Sequence, residues 1–197
     1  MSLKDIRLIT LENLEQLLKK NKFPTYRSKQ IQNWARKIDI KSFNQMSNLP
    51  NDLIQFLSKN FKLNKSKVKT SKKSSDGTIK FAIQLYDNLI VEAVLIPSNK
   101  RITACVSSQV GCSLDCNFCA TSKIKKMRNL ESYEIFDQIM LLNKESINYF
   151  SSPTTNIVFM GMGEPLLNYK NVIESIDQIT SDFGIGISYK KITLSTS

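Results

Sequence analysis

The sequence predicts an α/β protein: an N-terminal helical domain plus a small β hairpin, followed by a parallel sheet in which strands and helices alternate. Three observations predict it. Apolar residues recur at helical spacing through roughly the first sixty positions. From Ile79 to Leu85 they alternate with period two. After Pro97 the pattern becomes β-α-β-α-β, an order that gives a parallel sheet with right-handed crossovers.

Each element has its own local signal. Thr10 is placed to cap a helix carrying Leu11, Leu14, Leu17 and Leu18. A second helix carries Ile31, Trp34, Ala35 and Ile38 on one face. Pro50 suits the first turn of a third, with Leu53, Ile54, Leu57 and Phe61. Residues 62–78 are polar, rich in Lys and Ser, and read as a linker that ends in the turn Ser75-Asp76-Gly77. Asp87-Asn88 turns the hairpin into a strand over residues 89–96. A short strand over 102–106 follows, then a helix capped by Ser132 with Ile135, Ile139 and Leu142 inward. Residues 156–160 form a buried strand. Residues 169–179 form a helix with Tyr169, Val172, Ile173, Ile176 and Ile179 inward, and a last strand begins at Ile192. The expected division is 1–62 helical, 63–98 linker and hairpin, and 99–197 parallel β/α.

Charge narrows the partners. Lys and Arg number 28 and Asp and Glu 17, a net charge of +11. Such a balance favours a polyanionic partner, nucleic acid or an anionic membrane surface, with a merely solvated basic surface as the alternative. Residues 19–37 and 59–73 each hold seven basic residues and no acid, and Tyr26 and Trp34 inside the first could stack on bases. No run of about 18 apolar residues is present to span a membrane. The first twenty residues lack the apolar core of a secretory signal, so the expected address is the cytoplasm. The chain has no histidine. That excludes Ser-His-Asp and Cys-His catalysis and any zinc site that needs imidazole.

The four cysteines, Cys105, Cys112, Cys116 and Cys119, fall in one short stretch. The run Cys112-Ser-Leu-Asp-Cys116-Asn-Phe-Cys119 sits on a loop after a strand. Three thiolates at this spacing can hold one face of an iron–sulfur cluster and leave one iron open. Structural zinc, or a four-thiolate site that includes Cys105, are the alternatives. Gly161-Met-Gly163-Glu164-Pro165 follows the next strand, where two glycines let a backbone approach a ligand closely. It is not the dinucleotide fingerprint, because Leu166 stands where a third glycine is needed. Ser195-Thr196-Ser197 ends the third strand. All three motifs fall at carboxyl ends of parallel strands, where such sheets bind ligands. Glu92 interrupts the apolar run 89–96. It is either desolvated, with a raised pKa suited to proton transfer, or solvent-facing on an edge strand and paired with a lysine.

The cysteine run, with Phe118 before its last cysteine, resembles the radical S-adenosylmethionine (SAM) enzymes, and the Gly161–Pro165 segment resembles their glycine-glutamate motif. A closer similarity, to the adenine-C2 RNA methyltransferase family, runs through Tyr26-Arg-Ser-Lys-Gln-Ile31, Met46-Ser-Asn-Leu-Pro50 and Val91-Glu-Ala-Val-Leu-Ile-Pro97. It continues through Cys105-Val-Ser-Ser-Gln-Val-Gly-Cys112, Arg128-Asn-Leu130, Gly161-Met-Gly-Glu-Pro-Leu-Leu-Asn168 and Thr193-Leu-Ser-Thr-Ser197. The resemblance implies that the parallel sheet is the first half of a radical SAM partial (β/α)6 barrel. It implies a [4Fe-4S] cluster on Cys112, Cys116 and Cys119, and SAM bound by Gly163, Glu164 and Ser195. Glu92 matches the family's proton acceptor. Cys105 matches the cysteine that resolves a protein–RNA crosslink by forming a disulfide. The implied activity is methylation of adenosine carbon 2 in 23S rRNA and tRNA through a methyl-cysteine intermediate, with an electron donor such as flavodoxin and an RNA-binding accessory domain at residues 1–62. Methylation at adenine carbon 8, or non-catalytic RNA binding, are the competing readings. Two departures stand out. Thr121-Ser-Lys-Ile-Lys-Lys-Met127 lacks the glycines usual after the last cysteine. The family continues to a methyl-carrying cysteine beyond the position of Ser197, so the chain reads as a fragment truncated before it.

Overall fold

The computed structural model describes residues 3–117, 119–182 and 184–197. The chain forms two compact units, residues 1–65 and 66–197, each with its own apolar core. Among the described residues there are five α-helices and eight strands.

The first unit contains α1 (Leu11–Lys20), α2 (Arg27–Arg36) and α3 (Asn51–Asn60). Thr10 caps α1 by accepting the Asn13 N–H through its hydroxyl, as its position predicts. The three helices bury Leu14, Leu18, Ile31, Ala35, Leu53 and Leu57 against Met46 and Phe43. α2 stops at Arg36, so Ile38 lies beyond it and Ile40 enters the core instead. The two ends of the unit are tied by Asp5. Its carboxylate accepts from the Arg7 backbone N–H at 2.9 Å, from Arg7 Nε at 3.0 Å and from the Asn64 N–H at 2.7 Å. Both side chains of this ion pair are at most 2% exposed.

The second unit begins with β1 (Lys67–Lys73), β2 (Ile79–Gln84), β3 (Ile90–Ser98) and β4 (Arg101–Cys105). Two short strands, β5 (Gln109–Val110) and β6 (Arg128–Asn129), pair with each other. Then come α4 (Ser132–Phe150), β7 (Asn156–Phe159), α5 (Tyr169–Thr180) and β8 (Ile192–Leu194). One six-stranded sheet runs β1-β2-β3-β4-β7-β8. β1 to β4 form an antiparallel meander, while β4, β7 and β8 are parallel, as the alternation after Pro97 predicts. The hairpin strands thus share the sheet with the parallel strands, joined through the β3–β4 ladder.

Three local expectations need correcting. Much of the stretch read as a linker is strand β1. It is an edge strand whose residues are exposed except half-buried Val68, so no buried face imposes an apolar alternation on its sequence. The cap of α4 is Glu131, not Ser132: Glu131 and Glu134 form a capping box, and Ser132 is the first helical residue and buried. Tyr169, expected inward, is 59% exposed, because as the first residue of α5 it lies outside the packed stripe of Val172, Ile176 and Ile179.

One face of the sheet carries the core. Ile79, Phe81, Ile83, Val91, Ala93, Leu95, Ala104, Ile157 and Phe159 pack with Ile135, Phe136 and Ile139 of α4 and Val172 and Ile179 of α5. The period-two pleat puts Lys80, Glu92, Val94, Ile96, Thr103 and Val158 on the other face.

Removing the buried Asp5 carboxylate strips Arg7 of its countercharge. Asp5→Ala is expected to destabilise the helical unit by about 3–5 kcal/mol. Denaturant unfolding followed by tryptophan fluorescence measures this directly, since the chain's single tryptophan, Trp34, lies in that unit.

Candidate cofactor site

The loops at the carboxyl ends of β4, β7 and β8 enclose a cavity of about 380 Å3. Its walls carry Cys112, Cys116 and Cys119 from the first loop, Gly161, Gly163 and Glu164 from the second, and Ser195, Thr196 and Ser197 from the third. The three motifs expected at the strand ends therefore meet in one place.

The cysteine loop leaves β5 and returns at β6. All four cysteines are free thiols. Cys112, Cys116 and Cys119 are half-buried: the Leu114 N–H donates to Cys112 Sγ at 3.4 Å, and the Cys116 thiol donates to the Ser197 hydroxyl at 3.6 Å. The Thr121 N–H holds the Cys119 thiol below its ordinary pKa, against slight burial, with help from the Thr121 hydroxyl and the Ser122 N–H. Cys105 differs. It ends β4, is 8% exposed, and burial pushes its thiol up despite a hydrogen bond with the Met160 backbone. It does not line the cavity, although its neighbour Met160 does. Phe118, noted in the cysteine motif, lies outside the described residues.

The glycine loop owes its shape to its neighbour. Gly163 has φ +95, and a Cβ there would meet Gln109 Cβ at 2.4 Å. A Cβ on Gly161 would meet the Ser107 hydroxyl and the Val106 carbonyl at 2.7 Å. Both glycines thus admit the segment 106–109, where the sequence reading assigned them to a ligand. Glu164 is 6% exposed, and its carboxylate accepts the Leu166 N–H at 2.9 Å and the Ser197 N–H at 3.1 Å. Burial works to raise its pKa, but these two donors and the Thr196 hydroxyl outweigh it and hold the carboxyl below the usual range.

Glu92 faces away from the helices, and its carboxylate lies 2.8 Å from Lys80 Nζ across the β2–β3 ladder. Both side chains are about half exposed, 51% and 55%. Of the two readings of Glu92, the solvent-facing, lysine-paired one describes this arrangement, except that β3 lies inside the sheet between β2 and β4 and is not an edge strand: it is the open face, not an edge, that exposes the carboxylate. It does not line the cavity, but its backbone carbonyl accepts the Ser107 hydroxyl at 2.6 Å beside the cavity loops.

Several polar residues that sequence reading did not single out brace the cavity. Gln109 accepts the Glu164 N–H, Gln138 bonds Ser107, and Asn168 bonds the Ser108 and Leu130 carbonyls. Arg128, noted only within a motif, grips Glu134 bidentately at 2.7 and 2.9 Å and Asp87 at 2.7 Å. The one available signal was polar amides inside otherwise buried elements.

The donor set fits a thiolate-ligated cluster. The thiols border a shared cavity without converging on one point, and among the described residues no three Cys, Asp or Glu side chains gather as a site for a single metal ion. The three cysteines line the cavity beside polar groups of the other two loops, a donor set with the thiolate chemistry that holds iron–sulfur clusters.

Known proteins share this sequence and fold. No family model matches the chain. A probable dual-specificity RNA methyltransferase RlmN of Flavobacterium psychrophilum is 54% identical over 194 residues, covering 98% of this chain and 56% of that protein. Its counterpart in Flavobacterium johnsoniae is 53% identical with the same coverage. The dual-specificity RNA methyltransferase RlmN of Geotalea uraniireducens is 40% identical over 98% of this chain and 54% of its own length. The crystal structure of a radical SAM methyltransferase from Sphaerobacter thermophilus superposes with a TM-score of 0.82 at 33% identity, covering 98% of this chain and 57% of that one.

The site's brace has a pH signature. Burial tends to raise the Asp87 pKa, but Arg128 outweighs it and holds the carboxyl below its ordinary value. The stability this adds is present above about pH 4, the unfolded value, and is lost as pH falls through the depressed folded value. Asp87→Asn is expected to cost up to about 1 kcal/mol at neutral pH, since the pair is partly solvated. The gap from the unsubstituted chain should close in acid, as urea midpoints measured from neutral to acid pH would record.

The chain is thus similar in sequence to proteins named dual-specificity RNA methyltransferases and in fold to a radical SAM methyltransferase, and it spans about half the length of the curated relatives it matches.

Proposed function

We propose that this chain supplies the cofactor-binding and RNA-binding parts of a radical SAM methyltransferase acting on carbon 2 of adenosine in 23S rRNA and in tRNA. The observation that carries the proposal is the meeting of three cysteines, the glycine-glutamate loop and Ser195 around one cavity. Cys112, Cys116 and Cys119 would ligate a [4Fe-4S] cluster, and Gly163, Glu164 and Ser195 would bind SAM. When bound, these groups supply a reducing electron and the transferable methyl group, with an external donor such as flavodoxin recharging the cluster.

The chain's own residues do the rest. Glu164, held ionised by three donors, keeps the loop that borders the thiols in one position. Glu92 serves as proton acceptor from the open face of the sheet, and Cys105, kept protonated by burial, serves as the resolving thiol of a methyl-cysteine pathway. Its disulfide would form with a cysteine outside this sequence. Free thiols and a reducible cluster suit the cytoplasm. Among the described residues no helix is long and apolar enough to cross a membrane.

The helical domain, expected at residues 1–62, is the RNA-binding part of this reading. Along α2, the Arg27 guanidinium lies 4.9 Å from the centroid of the Tyr26 ring, and Lys37 Nζ 3.9 Å from that of Trp34. Tyr26 is 58% exposed. An aromatic face beside cations, in a stretch without acids, offers a base something to stack on and a phosphate something to pair with.

Two measurements test the proposal. Anaerobic reconstitution with iron and sulfide should give about four irons per chain. The Cys112→Ala, Cys116→Ala, Cys119→Ala triple variant should take up none, and equal uptake by that variant would overturn the cluster assignment. For RNA, Tyr26→Ala should weaken binding of a single-stranded adenosine-containing oligonucleotide about tenfold, while Tyr26→Phe retains it. Affinity should also fall steeply with salt. Salt-independent binding, or binding indifferent to Tyr26→Ala, would remove this surface from the proposal.

A further inference from the structure

Gln109 lies outside the cavity lining, yet its side chain joins the two loops that form most of the wall. It is fully buried, at 0% exposure. Its Oε1 accepts the Glu164 N–H at 2.9 Å, and its Nε2 donates to Asn129 Oδ1 at 2.8 Å. Asn129 in turn donates through Nδ2 to the Leu167 carbonyl at 3.0 Å, on the far side of Glu164. Gln109, Glu164, Leu167 and Asn129 thus close a ring. One side of that ring is the glycine-glutamate loop. The other is β5 and β6, the two stems from which the cysteine loop springs.

The backbone of Gln109 reinforces the ring. Its N–H donates to the Met162 carbonyl at 3.1 Å, and its Cβ and Cγ fill the space that any side chain at Gly163 would need. Glu164 is therefore held from both ends. Its backbone N–H is fixed by Gln109, and its carboxylate by Leu166, Thr196 and Ser197.

From this geometry we infer that Gln109 is a positioning residue. It fixes the Glu164 loop against the stem of the cysteine loop and so sets how tightly the cavity holds its methionine-bearing cofactor. The cofactor's identity rests on the proposed function; the mechanical link does not. A buried amide that satisfies both its ends transmits the position of one loop to the other, and its loss leaves the Glu164 N–H without its acceptor in a buried place.

The test uses the full chain and two variants. Gln109→Leu keeps the volume and removes both hydrogen bonds. Asn129→Ala cuts the same ring at a half-buried position, where the fold tolerates it if Gln109→Leu does not. Without any cofactor, hydrogen exchange of the amides in residues 161–167 should quicken about tenfold or more in Gln109→Leu. The direction should be the same and the effect smaller in Asn129→Ala, with the amides of β2 and β3 unchanged. After reconstitution, iron per chain should match the unsubstituted protein. SAM affinity should fall about 10–100-fold, read from the change SAM induces in the electron paramagnetic resonance spectrum of the reduced cluster.

Exchange in 161–167 that is unaltered in both variants overturns the inference. So does a Gln109→Leu chain with looser loops and undiminished SAM affinity. Loss of iron in parallel with SAM binding would make Gln109 a general support of the fold and also count against it. If the unsubstituted chain takes up no cluster, the proposed function fails, while the exchange measurement still decides whether Gln109 holds the loop.

Discussion

A strand that ends inside a protein must hand its next backbone groups to new partners, and at the end of β4 one tripeptide receives them. Ser107, Ser108 and Gln109 are each at most 2% exposed. The Gln138 amide reaches from α4 to take both the N–H and the carbonyl of Ser107, at 3.0 and 3.1 Å. The Ser107 hydroxyl donates to the Glu92 carbonyl and accepts the Met162 N–H at 2.8 Å. The Met162 carbonyl returns two bonds, to the N–H groups of Ser108 and Gln109. Asn168 closes the set by donating to the carbonyls of Ser108 and Leu130, both at 2.8 Å. Strand β3, helix α4, the glycine loop and the exit of the cysteine loop thus all register on three residues. Every wall of the cavity except the Ser195–Ser197 segment is positioned through them.

This hub also explains why the glycine loop is built of glycine. A backbone that must pass within contact distance of Ser107 and Gln109 has no room for Cβ at 161 or 163. The loop's hydrogen bonds with the hub need that closeness, so the two constraints are one. Glycine here serves the protein's own packing first. Approach to a ligand follows because the same backbone, pressed against 106–109, presents its opposite side to the cavity.

Much of this was legible in the sequence, for identifiable reasons. The helices of the first unit and the strands β2, β4, β7 and β8 announce themselves because each buries one face, and burial is what writes a period into a sequence. The convergence of cysteines, glycines and serines could be anticipated because parallel strands bring their carboxyl ends together whatever the loops contain. β1 was illegible because an edge strand with solvent on its residues carries lysines in place of a pattern. The bracing amides of Gln109, Gln138 and Asn168 were illegible for another reason. Their partners are backbone groups and side chains 20 to 60 residues away, so an amide inside a buried element can be noticed in the sequence but its partners cannot. Glu92 shows the limit of a one-dimensional view. A carboxylate in an apolar run is read as buried or exposed by its parity, and parity decides only which face it takes. Whether that face is covered depends on what packs there.

The two kinds of cysteine environment follow from the same architecture. Cys105 ends a regular strand between the half-buried Val94 and Val158 and is itself buried, and burial favours the neutral thiol. Cys119 sits where the chain turns into a short 3-10 helix, and there the Thr121 N–H above all lowers the thiol's pKa, favouring the thiolate. Placing the C-x3-C-x2-C run on a loop and Cys105 on the strand before it gives Cys105 and Cys119 opposite shifts, the first raised and the second lowered. No charged partner is needed to distinguish them, because burial at the one sulfur and N–H donors at the other already do so.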